Sequence, residues 1–90
     1  MVTIHLPLAI RKYADDRAAV DVQGDDVGEA LEALVRAYPD VRSRLLDMTG
    51  SVYPYFTLFV ADENLPREGY ERVPLPRGAQ LQIVTAVGGG

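Results

Sequence analysis

The chain has 90 residues, no cysteine and a formal net charge of −4 at pH 7. This length suits one domain with a small core, and the lack of cysteine excludes disulfides, thiolate metal sites and a cysteine nucleophile. The acidic balance argues against a nucleic-acid partner, because binding a phosphate backbone needs clustered Lys and Arg. The sequence shows neither a secretion signal nor an apolar stretch of membrane-spanning length, so we expect a cytoplasmic protein with no membrane partner.

The first predicted elements are two strands. Apolar and polar residues alternate over residues 2–6, which is the period of a strand with one buried face. Residues 18–22 form the second strand candidate. Asp15 and Asp16 suit a turn between them, so the two segments are predicted to form an antiparallel hairpin.

One main helix is predicted to follow this hairpin. Asp26 is placed to cap its N-terminus, and Glu29 stands three residues later in the capping-box position. Apolar residues then recur at a spacing that gives one buried stripe, until Pro39 ends the helix. Residues 41–46 are predicted to add a short further turn, and residues 47–54 to form a loop.

The second half of the chain carries two strand signals. Residues 56–61 are rich in β-prone apolar residues, and the polar segment 62–64 is predicted to be a turn. Residues 66–76 contain three prolines and should be mostly irregular, and residues 80–87 form the closing strand. Because the helix must cover one face of the sheet, the order predicts an α+β, β-grasp domain over residues 1–87. Its sheet would be mixed and four- to five-stranded, with one main helix on one face.

Three glycines, Gly88, Gly89 and Gly90, follow the closing strand directly. Glycine loses more conformational entropy on ordering than any other residue, so a run of three should add nothing to the fold. Extended, these residues span roughly 10 Å without side chains, which is enough to place a carboxylate in a narrow channel of another protein. We predict a flexible tail that serves as a reach, the alternative being a flexible end without a role.

Two segments, together with this tail, make the chain resemble the MoaD/ThiS family of ubiquitin-like sulfur carriers. They are residues 59–65, FVADENL, and residues 77–90, RGAQLQIVTAVGGG. Gly89 and Gly90 match the terminal diglycine of the family, whereas Thr85 stands where the family commonly has proline. The length is closer to the molybdopterin-type and cysteine-synthesis-type carriers than to the shorter thiamine type.

The resemblance implies a carrier protein rather than an enzyme, with Gly90 as its reactive residue. In this family an E1-like adenylating enzyme of the MoeB/ThiF type uses ATP to turn the terminal carboxylate into an acyl adenylate, and a sulfur donor converts this to a thiocarboxylate. A downstream synthase accepts the sulfur. The carrier itself is expected to bind no cofactor and no metal, while Gly88 and Gly89 give access to Gly90. The product, whether molybdopterin, cysteine, thiamine or another thio-metabolite, stays open.

A docking surface is predicted from the alternation of the third strand. If Leu58 faces the helix, Phe59 must project from the opposite side of the sheet. With Leu65 and Val84, Phe59 would form a small apolar patch near the tail, of the kind that marks an interface. In the alternative interpretation, residues 41–54 fold over this side and Phe59 is a second core residue.

Two other functions remain open from the sequence. A ubiquitin-like modifier would use the same activated tail to join Gly90 to lysines of target proteins. A β-grasp interaction module would not need the tail. Lys12 is the only lysine, which disfavours chains built on the protein itself but not a single attachment. His5, the only histidine, cannot build a metal site without further ligands and is expected at the surface.

Overall fold

The computed structural model describes residues 1–85, which form one mixed sheet covered by helices. The strands are β1 (Val2–His5), β2 (Ala19–Val22), β3 (Phe56–Val60), β4 (Glu63–Asn64) and β5 (Gln80–Thr85). Their order in the sheet is β2-β1-β5-β3-β4. β1 is antiparallel to β2 and parallel to β5, and β3 is antiparallel to both β5 and β4. This topology confirms the predicted α+β, β-grasp fold with a mixed sheet.

The main helix begins and ends where the sequence predicts. The helices are α1 (Leu8–Arg11), α2 (Val27–Ala37) and α3 (Arg42–Leu45), with 3-10 turns at Lys12–Ala14, Pro39–Val41 and Tyr70–Arg72. At the start of α2, the Asp26 carboxylate accepts a hydrogen bond from the Glu29 N–H at 2.8 Å. The Glu29 carboxylate in turn accepts one from the Asp25 N–H, also at 2.8 Å. The first bond satisfies an N–H group that a helix leaves free in its first turn, and the second ties the residue before the N-cap to the helix.

The core lies between α2 and the inner face of the sheet. Its central side chains come from the helix and from the two middle strands, namely Val27, Ala30, Leu31 and Leu34 with Val2, Ile4, Leu81 and Ile83. Burying a side chain of this size contributes about 1.5–3 kcal/mol relative to leaving it exposed. No polar or charged side chain is buried in the part of the chain that the structure describes. The burial of these side chains therefore stabilises the packing of α2 on the sheet.

The antiparallel pairing of β1 with β2 and the turn at Asp15 and Asp16 are confirmed, but the connection also contains helical turns that were not predicted. α1 and a 3-10 turn come first, and the chain reverses only at Asp15 and Asp16, whose φ angles are 56° and 60°. Ile10 and Ala14 in this connection are buried, so the segment closes one end of the core. An element of four residues shows too little periodicity to be recognised from the sequence.

The turn after β3 is shorter than the turn predicted at residues 62–64. Ala61 and Asp62 both have positive φ, 52° and 66°, which is the geometry of a two-residue hairpin turn. Glu63 and Asn64, which were predicted to lie in the turn, therefore form β4 and pair with β3. No helix within residues 1–85 is long and apolar enough to cross a membrane.

Candidate functional site

β5 leads the chain toward its glycine tail at a defined end of the sheet. Because β1 and β5 are parallel, with His5 opposite Gln82, both strands leave the sheet at the same end. α1 follows β1 directly at this end. The sites predicted at Gly88, Gly89 and Gly90 lie outside the described residues, as do residues 86–87 of the predicted closing strand, so these assignments stay predictions.

Phe59 lies on the outer face of the sheet, away from α2. Its cross-strand neighbours are Asn64 on β4 and Gln82 on β5, both exposed polar residues. Phe59 itself is half-buried and does not belong to the apolar side chains that pack against the core. Leu58, the preceding residue, is only 5% exposed and faces the helix side. Leu58 is thus a core residue and Phe59 faces outward, as the alternation of the strand predicts.

The other two residues of the predicted patch fall on different faces. Val84 shares the outer face with Phe59 and is 41% exposed. Leu65 instead packs against the core, and its N–H donates to the Leu58 carbonyl at 2.8 Å. Residues opposite each other in a ladder share a face, so the two-residue turn places Leu65 with Leu58 on the helix side. The predicted patch is therefore corrected to one without Leu65.

Leu8 is an exposed apolar residue that the sequence reasoning missed. It opens α1, three residues after His5, and is 78% exposed. A single exposed leucine is common on protein surfaces, but this one lies at the end of the sheet toward which β1 and β5 both run. The sequence holds one indication of this element, the short run Leu8–Arg11 after Pro7. In that run Ile10 is buried and Leu8 is exposed. We use the name outer apolar surface for Phe59 and Val84 on the outer face of the sheet together with Leu8, which opens α1 at the end of β1.

Two pairs of polar side chains join β1 to its neighbouring strands β2 and β5. The Thr3 hydroxyl donates to the Asp21 carboxylate at 2.7 Å, and the His5 ring pairs with the side chain of Gln80. Within residues 1–85 no cluster of three His, Cys, Asp or Glu side chains could hold a metal ion. On the outer face Phe59 and Val84 lie beside exposed polar side chains, and an apolar patch with a polar rim is suited to binding another protein.

Known proteins resemble this chain along essentially its whole length. No protein-family model matches it. It is 26% identical over 91 residues to the sulfur carrier protein CysO of Mycobacterium tuberculosis, a match that covers 99% of this chain and 98% of that protein. A chain in the crystal structure of the Amycolatopsis orientalis BexX/CysO complex is 23% identical, with a TM-score of 0.87 and 100% of both chains covered. Small archaeal modifier protein 1 of Haloferax volcanii is 30% identical, with a TM-score of 0.76 and coverage of 99% of this chain and 98% of that one.

Proposed function

The chain belongs to the MoaD/ThiS family of ubiquitin-like sulfur carriers, and we propose that its Gly90 carboxylate is adenylated and then converted to a thiocarboxylate that donates sulfur in a biosynthetic pathway. It is a carrier rather than an enzyme. The observation that carries the proposal is the likeness to CysO over 99% of this chain and 98% of that protein, in a chain whose sequence ends in three glycines. Adenylation, sulfur loading and the identity of the pathway are the parts that experiment must test.

The proposed chemistry needs no reactive side chain on the carrier. A carboxylate oxygen of Gly90 attacks the α-phosphorus of ATP on an E1-like partner, and pyrophosphate leaves. A hydrosulfide then attacks the resulting acyl carbon, the C–S bond forms, and AMP departs with the former carboxylate oxygen. The partner positions the groups and stabilises the charge, so ATP is its co-substrate and the carrier binds no cofactor of its own.

The folded domain contributes recognition in this proposal. The outer apolar surface gives the activating enzyme a place to bind, and Gly88 and Gly89 pass through its channel because they carry no side chains. A sulfur donor and a downstream sulfur-accepting synthase complete the set of partners.

Intact-mass measurement tests the sulfur chemistry. After incubation with ATP, a candidate activating enzyme and sulfide, the mass should rise by the difference between one sulfur and one oxygen atom. Deletion of Gly90 should abolish the gain, and Gly89→Val should abolish adenylation while melting is unchanged. Normal adenylation of Gly89→Val would contradict the role of the glycines as access to the channel.

A ubiquitin-like modifier is the second candidate. The 30% identity to small archaeal modifier protein 1 favours it. In this case an amine of a target protein, rather than hydrosulfide, attacks the adenylated Gly90 and forms an amide. Covalent adducts on a denaturing gel, with no gain of sulfur in the free chain, would support the modifier over the sulfur carrier.

A further inference from the structure

β4 covers only one end of its neighbour β3. β4 has two residues, which pair with Phe59 and Val60, whereas β3 has five. Leu65 extends the pairing by one hydrogen bond, from its N–H to the Leu58 carbonyl at 2.8 Å. Beyond this point the edge of β3 has no neighbouring strand among residues 1–85. The open part of the edge lies between Phe56, whose N–H already donates to the Tyr53 carbonyl at 3.1 Å, and Leu58.

Two main-chain groups on the open edge lack partners. The Leu58 carbonyl points toward β4, and the N–H of the same residue points to the same side, as it does in any strand. Within the described part of the chain, this N–H donates no hydrogen bond and the Phe56 carbonyl, two residues earlier on the same side, accepts none. Both residues are only 5% exposed. Unpaired groups of this kind on a strand edge are a template for an additional strand.

A preformed groove with a volume of about 470 Å³ lies beside this edge. Its apolar lining includes Val52, Pro54, Phe56, Leu58, Leu65 and Pro66. The far wall is fixed, because the Val52 N–H donates to the Tyr70 hydroxyl at 2.7 Å and the Tyr53 N–H donates to the Leu45 carbonyl at 3.0 Å. A groove whose walls are already ordered loses little entropy when it is filled. Apolar side chains at alternate positions of an added strand would fit here.

The charge on the groove favours a basic occupant. The groove is lined by two acidic residues, Asp47 and Glu68, and by one basic residue, Arg67. The whole chain has a net charge of −4. Hydrogen bonds from Thr49 and Ser51 lower the pKa of Asp47, so its carboxylate is charged at neutral pH. All of these bonds fall on Oδ1. The second oxygen, Oδ2, is thus available to a cation.

From these observations we propose that an extended segment of a partner protein pairs with β3 at residues 56–58 as an added strand. Its apolar side chains fill the groove, and a Lys or Arg side chain contacts Asp47. The site goes beyond the proposed sulfur chemistry, since it uses neither the tail nor the outer apolar surface. A partner could therefore remain bound here while the tail is inside an enzyme.

A peptide titration followed by NMR tests this site without ATP or an activating enzyme, so its failure is distinct from failure of the sulfur chemistry. The probe is acetyl-Lys-Val-Thr-Val-Thr-Val-amide, added to the full 90-residue chain. We expect chemical-shift changes at Phe56, Thr57, Leu58 and the groove, with protection of the Leu58 amide from hydrogen exchange. N-methylation of alternate peptide amides should abolish binding, and Glu in place of the peptide Lys should weaken it at least fivefold at low salt.

Variants of the chain separate the groove from other surfaces. Asp47→Asn with Glu68→Gln should weaken binding of the basic peptide several-fold and reduce its salt dependence. Glu32→Gln with Asp40→Asn, which removes two exposed carboxylates outside the groove lining, should weaken binding much less. Shifts confined to the outer face, or binding that survives N-methylation, would overturn the proposal. Concentration-dependent dimerisation through β3, seen by sedimentation, would assign the edge to a second copy of the chain and overturn it as well.

Discussion

Asp47 organises the loop after α3 through one carboxylate oxygen. Its Oδ1 accepts from the Thr49 hydroxyl at 2.6 Å, the Thr49 N–H at 2.8 Å and the Ser51 N–H at 3.1 Å. These hydrogen bonds favour the ionised form and lower the pKa of Asp47, with the Thr49 hydroxyl making the largest contribution. The sequence predicts a loop here from its Gly, Ser and Pro content, but the acceptor role of Asp47 depends on the loop conformation.

The lowered pKa of Asp47 predicts a specific loss of stability in acid. Because the pKa is lower in the folded than in the unfolded chain, the stabilisation is fully present above the unfolded value and is lost as pH falls through the folded one. We expect the free energy of unfolding to decline more steeply below about pH 4 in the wild type than in Asp47→Asn. Urea unfolding between pH 7 and pH 3 measures this, with Asp40→Asn as a control for the loss of one charge. Equal acid sensitivity of the wild type and Asp47→Asn would contradict the prediction.

The start of α2 is the element that the sequence predicts best. Its signals are local, because a cap and a capping box are read from four consecutive positions. We expect Asp26→Ala to lower the free energy of unfolding by about 1 kcal/mol, within a range of roughly 0.5–2, since the Glu29 N–H loses its acceptor. Urea denaturation measures the free energy of unfolding. The matched control is Asp25→Ala, which removes the same charge from a side chain that does not cap the helix. A larger loss in Asp25→Ala than in Asp26→Ala would contradict the role of Asp26 as the cap.

Elements that the sequence missed are short or depend on register. α1 has four residues, fewer than a periodic pattern needs to be distinguished from a turn. β4 forms because the chain reverses at Ala61 and Asp62, which both have positive φ. Alanine rarely adopts this conformation, so the residue types do not predict the turn. The placement of Leu65 followed from this register, so the predicted patch was wrong in that residue.

The outer apolar surface is a property of the whole molecule. Leu8 follows β1, Phe59 belongs to β3 and Val84 to β5, and the sheet order brings these three strands side by side. The alternation within each strand could be predicted from the sequence, and it placed Phe59 and Val84 on the same face. Leu8 could not be found in this way, because its position requires the helical connection after β1.

Truncation of this surface should weaken docking without unfolding the domain. We expect Leu8→Ala and Phe59→Ala each to cost about 1–2 kcal/mol of binding to the activating enzyme, roughly a 5–30-fold rise in Kd, because exposed apolar side chains are buried on contact. Calorimetric titration measures the affinity, and melting temperatures check the fold. Met48→Ala is the control, since Met48 is fully exposed at 101% on the loop after α3. A large fall in the melting temperature of Phe59→Ala would instead make Phe59 a core residue.

The parallel pairing of β1 with β5 joins the earliest and the latest described strands in order of synthesis. Before Gln80–Thr85 emerge from the ribosome, β1 with β2 and β3 with β4 are two separate pairs that share no neighbour, and isolated pairs of strands are marginally stable in water. Folding should therefore wait until residues 80–85 have been translated, and products that stop before them should stay open to proteases. A folded molecule is thus one in which the strand that precedes the glycines has already been made.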